Sequence, residues 1–352
     1  MADAKQAVVS LENPEFDPVT MGGSIKRGIV NPDLIDERAK CDFDREEAYR
    51  VLFHADYREE FDFVARLIKK YPEVASKPNF YEMTRQEKLT EWWDRLKTIM
   101  EDPEFAPHVT SQPDTKSQNF HWWSMFAGKH PMELHQQMFT KSVKELASDE
   151  QARHWLPLIN HWKIIGSYAQ TELAHGSNVA GLETTCTLDL ATDEFVVHTP
   201  SIRAVKFWAG SLGVQATHAV IFARCIAKEV DYGVQPFIVA VRDMQTFEPL
   251  PGVEIGDCGT KIGNNGYDHG WVKFTQLRVP RDALLSRFVS MSKEGEFSLR
   301  ASPRVVYLTM VQTRTAICHA ACYSFYNGVE MAVRYAACRR QFATIEGSGR
   351  ER

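Results

Sequence analysis

The sequence IIGSYAQTELAHGSNVAGLETT, at positions 164–185, lies where two different sequence patterns meet. Its apolar start is followed directly by small and hydroxyl-bearing residues, a composition that suits a loop whose backbone approaches a flat ligand closely. The pattern alone leaves an ordinary turn as an open alternative. Helical periodicity dominates before this stretch and strand periodicity after it, so the fold class is decided here.

Before this stretch the chain is predicted to be mostly helical. Residues 1–40 are polar and contain three prolines, which indicates an extended N-terminal arm, and residues 41–165 are predicted to form a helical domain. Residues 44–71 place apolar side chains at helical spacing; the predicted face contains Leu52, Phe53, Phe61, Val64, Leu67 and Ile68. Thr84 with Glu87, and Ser148 with Gln151, have the spacing of capping boxes at helix starts.

After this stretch the pattern predicts a β-domain over residues 166–295. Short segments rich in β-branched and aromatic residues recur about every ten residues, which favours a sandwich or barrel. These segments are 185–190, 194–199, 203–208, 218–226, 235–242 and 270–279. Asn264, Asn265 and Gly266 indicate a tight turn between strands.

The last part, residues 300–352, is predicted to begin a C-terminal helical bundle. A helical pattern of about 35 residues follows Pro303, about 50 Å of helix, and Gly328 is a candidate interruption. The helix is apolar enough to require partners, and the chain contains no later helix to supply them. The predicted fold class is therefore α+β multidomain, with an incomplete last domain.

Composition narrows the possible functions. The chain has 352 residues, 44% hydrophobic and 25% charged, with a formal net charge of -5. This acidic balance argues against a general nucleic-acid binder. The sequence begins with no secretory signal pattern and contains no apolar stretch long enough to predict a membrane span.

The seven cysteines form no CxxC pair, and their odd number fits a reducing compartment. Cys318 and Cys322 lie one helical turn apart, and we interpret them as small apolar residues on a helix face. No dinucleotide-binding GxGxxG, no P-loop, no HExxH and no nucleophile elbow is present, so we expect no metal centre and no Ser/His/acid triad.

Several longer motifs carry a resemblance to a known family. YAQTELAHG is followed by GLETT, by KFWAGSLG at 206–213, by 249–270 with its GTKIGNNGYDHG, by VPRDALLSRF, and by RYAACRRQF at 334–342. Together these resemble the peroxisomal acyl-CoA oxidases and, more distantly, the acyl-CoA dehydrogenases. The family implies N-terminal helices, a middle β-domain and a C-terminal helical bundle, in the order that the periodicity indicates.

The resemblance implies FAD as the cofactor and assigns residues to it. Thr171 matches the family's flavin-binding threonine, with Gln170 beside it. Gly210 matches a second FAD contact, at which the missing side chain would permit close approach. Trp208 matches a tryptophan that packs against the flavin in the dehydrogenase relatives, with a core aromatic as the alternative. Lys206 is expected to be solvated or ion-paired, with a cofactor contact as the alternative.

The resemblance also implies an FAD contact near the end of the chain. Arg339 and Phe342 match an R-x-x-F element that contacts FAD of the neighbouring subunit, so a homodimer is expected. An arginine suits this role because its guanidinium pairs pyrophosphate oxygens bidentately. A solvated basic pair at a helix end is the alternative.

The implied reaction is α,β-dehydrogenation of a fatty acyl-CoA, with electrons passed through FAD to O2, giving trans-2-enoyl-CoA and hydrogen peroxide in the peroxisome. The family's catalytic base is a glutamate expected beyond Arg352, so no catalytic residue is assigned within the chain, and Glu172 is not the base. The alternatives are an acyl-CoA dehydrogenase that uses an electron-transfer flavoprotein, a non-catalytic truncated product that binds a full-length subunit, and an incomplete gene model of an ordinary oxidase.

We therefore expect the chain alone to have little or no oxidase activity, because the base of the resembled family is absent from it. The measurement is peroxide formation by the purified chain after addition of FAD and palmitoyl-CoA. Turnover near that of a full-length relative would contradict this expectation.

Overall fold

The computed structural model describes residues 31–52, 57–74, 82–107, 131–301 and 304–339. The chain separates into two compact units. One contains Met1–Ala75, Gln118–Phe126 and Arg314–Arg352, and the other contains Ser76–Ser117 and Ala127–Thr313. The domain boundaries drawn from the sequence, 1–40, 41–165, 166–295 and 300–352, stay predictions.

The first unit is helical in its described part. Helix α1 spans Pro32–Ala39, α2 spans Arg45–Leu52, α3 spans Tyr57–Lys70, and a 3₁₀ turn follows at Pro72–Val74. Most of the long helix α7, Arg304–Cys338, also belongs to this unit from Arg314 onward.

Helix α1 corrects the prediction of an extended arm through residue 40. The side chain of Asn31 accepts a hydrogen bond from the backbone N–H of Asp33 at 2.9 Å, which caps the first turn. Pro32 is the first helical residue, where its missing N–H costs nothing because that N–H has no partner inside a helix. The proline taken as a sign of extended backbone is thus a helix start. Residues 1–30 lie outside the described part.

The apolar face predicted over residues 44–71 is confirmed only in α3. Val64 and Leu67 are buried there, and Ile68 is half-buried, at helical spacing. Leu52, at the end of α2, is exposed, so the prediction is wrong for that residue. Phe53 and the side chain of Phe61 lie outside the described residues.

Helix α7 confirms the predicted long C-terminal helix, with 35 residues. It continues through Gly328 without interruption, because one glycine costs only about 1 kcal/mol relative to alanine and the hydrogen bonding on both sides persists. Cys318 and Cys322 are both exposed in the described structure, so their interpretation as packed residues is not confirmed.

The second unit begins with helices that its capping residues define. Helix α4 spans Arg85–Met100; a π-helical turn at His135–Thr140 leads into α5, Lys141–Leu146, and α6 spans Asp149–Asn160. Both predicted capping boxes are present, with Thr84 and Glu87 starting α4 and Ser148 and Gln151 starting α6. Each box satisfies backbone N–H groups that would otherwise lack partners at the helix end.

The described part of the second unit contains eleven strands. They are β1 Gly166–Ala169, β2 Thr185–Asp189, β3 Glu194–His198, β4 Lys206–Ala209, β5 His218–Ala227, β6 Val230–Ala240, β7 Val253–Asp257, β8 Gly270–Phe274, β9 Leu277–Pro280, β10 Val289–Met291 and β11 Phe297–Leu299. The predicted segment 270–279 is two strands, separated by a turn at Gln276, whose φ is 54°. β1, β7, β10 and β11 lie outside the predicted segments.

Strand β5 organises the largest sheet. One of its edges pairs antiparallel with β6, and the other pairs parallel with β1 and, further along, with β2. The sheet continues through β3 to β9, while β4, β8 and β7 form a second sheet and β10 and β11 a third. The predicted β-domain is confirmed as a curled mixed sheet, and the hydrogen bond from the Tyr267 N–H to the Asn264 carbonyl (3.1 Å) confirms the tight turn.

Both faces of β5 are buried, which explains its continuous apolar sequence HAVIFARCI. One face contributes Ala219 and Ile221 to the main core of the β-domain. The other contributes Val220 and Phe222 to a second core, which contains side chains of the π-helical turn, α5 and α6 such as Phe139. The π-helical turn, α5 and α6 are therefore part of the structural support of the sheet.

His135 connects the π-helical turn to β1. Its Nδ1 accepts the backbone N–H of Gly166 at 2.9 Å, and its side chain is almost fully buried. Burial lowers the pKa of His135 to about 4, although a hydrogen bond to the backbone of Ile159 opposes the shift. The neutral imidazole is therefore a structural acceptor in this fold.

We expect acid to destabilise the second unit through His135. Its folded pKa, about 4, lies below the ordinary value of 6.5, so the unfolded chain binds the extra proton between those values and stability falls as pH decreases through that window. The full loss is about 3 kcal/mol from this group. The measurement is denaturant unfolding at pH 7 and pH 4.5. His135→Gln should reduce the difference between the two pH values; an unchanged difference would contradict the assignment.

Candidate functional site

Two of the motifs found in the sequence lie side by side in the second unit. β1 continues into residues 170–172, which run antiparallel to β4: the Thr171 carbonyl accepts the Phe207 N–H at 3.0 Å, and Glu172 pairs with Lys206. The Ser167 hydroxyl donates to the Gly210 carbonyl at 2.7 Å. The AQTEL and KFWAG segments therefore form one surface strip, although more than thirty positions separate them in sequence.

Lys206 is fully buried beneath this strip, with 0% of its surface exposed. Its ammonium donates to the carbonyls of Gln170 (3.1 Å) and Phe222 (2.6 Å) and to Oε1 of Glu172 (3.1 Å). These partners use all three donors of the ammonium group. Sequence analysis expected a solvated or ion-paired lysine, and the ion-paired alternative is the one observed.

Glu172 is the partner of this lysine and is itself 1% exposed. Oε1 also accepts the N–H and hydroxyl of Thr184, at 2.9 and 2.6 Å, and Oε2 accepts the N–H of Glu183 at 2.8 Å. His175 Nδ1 lies 3.1 Å from Oε2. Because both oxygens are engaged and buried, Glu172 is unsuited to abstract a substrate proton, as the sequence analysis expected.

The ionisation of the pair reflects burial and mutual attraction. Burial lowers the pKa of Lys206 to about 8, against the opposing attraction of Glu172. For Glu172, burial favours the neutral acid, but Lys206 and the hydrogen bonds from Thr184 and Glu183 outweigh it and lower the pKa. At neutral pH both groups are therefore charged, and the pair joins residues 170–172 to β4 and to residues 183–184.

Trp208 lies on the outer side of this strip. It occupies a β-bulge between Phe207 and Ala209, with φ at 69°, a left-handed conformation that is rare for a bulky residue. Its indole is 49% exposed and stacks on His269, with ring centroids 5.0 Å apart. The core-aromatic alternative for Trp208 is therefore wrong, because one side of the ring is open.

Thr171 is also exposed, on the segment paired with β4. Its carbonyl is used by Phe207, so its side chain is the part available to a ligand. Gln170 is half-buried; its carbonyl binds Lys206, and its side-chain oxygen accepts the Tyr168 hydroxyl at 3.2 Å. Gln170 therefore supports the strip through two of its own groups.

Gly210 has a packing role that the sequence did not predict. A Cβ built on it would collide with the side chain of Leu134, which precedes the π-helical turn, so a larger residue here would require that side chain to shift. Its carbonyl already accepts the Ser167 hydroxyl. Its predicted contact with FAD stays a prediction and would have to use backbone atoms.

Opposite charges hold the loop that follows Gly210. The buried guanidinium of Arg242 donates to the carbonyls of Leu212, Gly213 and Ala216 at 2.7–3.0 Å. The buried carboxylate of Asp268 accepts the N–H groups of Val214 and Gln215 at 2.9 and 3.0 Å. Burial raises the pKa of Asp268 to about 6, although those N–H groups oppose the shift.

The predicted C-terminal contacts belong to the other unit. Arg339 directly follows α7, is exposed, and its N–H donates to the Tyr335 carbonyl at 2.8 Å. Phe342 lies outside the described residues. The roles of Arg339 and Phe342 toward FAD stay predictions.

Some supporting residues were not found from the sequence. The sequence did not predict that Lys206 and Glu172 pair with each other, because it shows each charged residue without its partner. Leu134, which packs against Gly210, belongs to no motif. His269, which stacks on Trp208, lies in the GTKIGNNGYDHG motif but received no role of its own.

Two further searches cover only the described part of the chain. No group of three or more His, Cys, Asp or Glu side chains there is arranged to hold a metal ion. Among those residues, no helix combines the length and apolar character needed to cross a membrane.

Comparison with known proteins places this arrangement in a class. Residues 55–165 match the acyl-coenzyme A oxidase N-terminal family, and residues 307–352 match the acyl-CoA oxidase C-alpha1 domain. The peroxisomal acyl-coenzyme A oxidase 1 of Arabidopsis thaliana is 39% identical over 89% of this chain and 47% of its own length. The chain thus spans about half the length of the curated relatives that it matches.

Solved structures agree. Arabidopsis thaliana acyl-CoA oxidase 1 has a TM-score of 0.80 at 37% identity, covering 92% of this chain and 48% of that protein. Acyl-CoA oxidase-2 of Caenorhabditis elegans, bound with FAD, ascaroside-CoA and ATP, has a TM-score of 0.84 at 33% identity, covering 92% and 49%. The fold is that of the acyl-CoA oxidases. This chain thus resembles the acyl-CoA oxidases in two domain matches, in sequence and in fold, as its motifs predicted.

We expect the Lys206–Glu172 pair to be sensitive to removal of one partner. Lys206→Met should lower the free energy of unfolding by about 3–5 kcal/mol, because it leaves a buried carboxylate without its cation. Replacing both residues, as Lys206→Met with Glu172→Leu, should cost less than this single change. The measurement is denaturant unfolding at pH 7.

The exposed pair Lys273–Glu254, with Nζ and Oε1 2.6 Å apart, provides a matched control in the same unit. Lys273→Met should cost less than about 1 kcal/mol, since solvent screens this pair. Equal losses for Lys206→Met and Lys273→Met would contradict the importance of burial.

Proposed function

We propose that this chain is part of an FAD-dependent acyl-CoA oxidase of peroxisomal fatty acid β-oxidation. The reaction converts a fatty acyl-CoA and O2 into trans-2-enoyl-CoA and hydrogen peroxide. The observation that carries the proposal is the pairing of the segments that hold Thr171 and Trp208, both exposed, in a chain that resembles the acyl-CoA oxidases. The C. elegans acyl-CoA oxidase-2, bound with FAD and ascaroside-CoA, supports it.

The residues on this strip fit a flavin. An isoalloxazine ring is flat, with apolar faces and hydrogen-bonding edges. Trp208 offers a half-exposed aromatic face, and Thr171 offers an exposed hydroxyl on the neighbouring segment. Aromatic surface next to a few placed polar groups is the usual lining of a cofactor site.

Thr171, Gln170, Trp208 and Gly210 are the residues that would hold the cofactor within this unit. When bound, FAD supplies an acceptor for the two electrons removed from the acyl chain. Arg339 and Phe342 would contact FAD of a second subunit, which makes a homodimer part of the proposal.

The main role of these residues is to orient the flavin ring. The Thr171 hydroxyl can donate a hydrogen bond to the edge of a ring, which favours negative charge there. Lys206 and Glu172 neutralise each other, so they add no net charge beneath the strip. The rigid loop after Gly210, held by Arg242 and Asp268, limits movement on that side.

The oxidase alternative is favoured over a dehydrogenase that uses an electron-transfer flavoprotein. The Arabidopsis thaliana relative named above is a peroxisomal acyl-coenzyme A oxidase by name, and so is a 33% identical protein of Dictyostelium discoideum. These names support O2 as the electron acceptor and the peroxisome as the location.

We predict that the chain binds FAD and that Thr171→Val weakens binding about tenfold, because one hydrogen bond to the ring is lost. Binding is measured by titration, through the visible absorption and fluorescence of the flavin. The fold of the variant is checked by its unfolding free energy.

Thr187→Val is the matched control, since Thr187 is an exposed threonine on β2 and away from the strip. It should leave the FAD dissociation constant unchanged. The proposal would be contradicted if the unchanged chain bound no FAD, or if the two threonine variants bound it equally.

A further inference from the structure

The backbone around Thr171 is fixed on every side but one. The carbonyl before it, on Gln170, binds the Lys206 ammonium at 3.1 Å. Its own carbonyl binds the Phe207 N–H at 3.0 Å. The residue after it, Glu172, is held through its carboxylate. Thr171 itself is exposed.

The fixing groups belong to three separate parts of the sequence. Lys206 comes from β4, and its ammonium also reaches the Phe222 carbonyl on β5. The Glu172 carboxylate also accepts hydrogen bonds from Glu183 and Thr184, which directly precede β2. The Thr184 hydroxyl, whose one proton goes to the Glu172 carboxylate, also lies 3.0 Å from the Ala204 carbonyl. One buried ion pair thus joins the segments that carry the AQTEL, GLETT and KFWAG motifs.

Stability alone is a poor reason for this arrangement. A buried ion pair gains little over well-packed apolar side chains, because both charges lose their hydration. Such a pair instead fixes the positions of the groups that it binds, because each hydrogen bond has a preferred distance and angle. A ligand-binding hydroxyl needs this kind of support from groups behind it.

We infer that Lys206 and Glu172 are positioning residues that fix the peptide groups on both sides of Thr171, so that its hydroxyl meets the cofactor at a set angle. This inference rests on the proposed function and deepens it. Neither residue touches the cofactor. Both act through Thr171.

The test is a double-mutant cycle on the purified chain, with Thr171→Val, Glu172→Gln and the two together. Glu172→Gln keeps the shape of the side chain but removes its charge. It should raise the FAD dissociation constant about tenfold in the unchanged background and have little further effect once the Thr171 hydroxyl is gone. The unfolding free energies of the same variants should instead add.

Hydrogen exchange provides a readout that does not depend on FAD. In Glu172→Gln, amides of residues 170–175 and 183–184 should exchange faster, while amides of β6 should be unchanged. Glu254→Gln, in the exposed Glu254–Lys273 pair, is the matched control and should change neither exchange there nor FAD affinity.

If Glu172→Gln does not fold, Thr184→Val replaces it in the cycle, because this isosteric change removes only one donor to the Glu172 carboxylate. Additive effects on FAD affinity, or unchanged affinity in the carboxylate variants, would overturn the inference while leaving the proposed function standing. Failure of the unchanged chain to bind FAD would overturn both.

Discussion

The structure around the candidate site depends on one buried contact, between the ammonium of Lys206 and the carboxylate of Glu172. Neither group has solvent to stabilise its charge, so each must be satisfied by the protein. Six further hydrogen-bonding and ionic contacts surround the pair. They come from Phe222 on β5 and from Gln170, His175, Glu183 and Thr184 in the segment between β1 and β2. The positions of these elements are therefore specified together, because moving one would leave a buried charge without its partners.

Buried charges also specify the loop that follows Gly210, but there the two charged side chains bind the backbone of the loop instead of each other. Arg242 binds carbonyl groups of that loop, and Asp268 binds its N–H groups. A loop normally satisfies its backbone in water. Here side chains of opposite charge replace water, which lets irregular backbone be buried next to the strip. Trp208 and Ser211, on either side of Gly210, both have positive φ. The surrounding structure holds them in these uncommon conformations.

Local rules were enough to predict part of this architecture. The capping boxes at Thr84 and Ser148 involve residues three apart, so sequence spacing decides them. The strand periodicity and the motif order predicted the β-domain and the family. Long-range partners were beyond such rules. Sequence could not reveal that Lys206 is buried, because its partner is 34 positions away, nor that Leu134 packs against Gly210. Pro32 was misinterpreted because proline both starts helices and favours extended chain.

The central position of β5 has a consequence for the order of folding. β5 and β6 are joined by Lys228 and Glu229, both with positive φ, in a hairpin that closes locally. Its other edge needs β1 and β2, which come from earlier in the chain and pair parallel. Closing such distant contacts costs chain entropy before any pairing is gained. The hairpin is thus expected to form first, while the other edge of β5 is still unpaired. The slow step in the folding of this domain is then expected to be the pairing of β5 with β1, the strand that leads into Thr171.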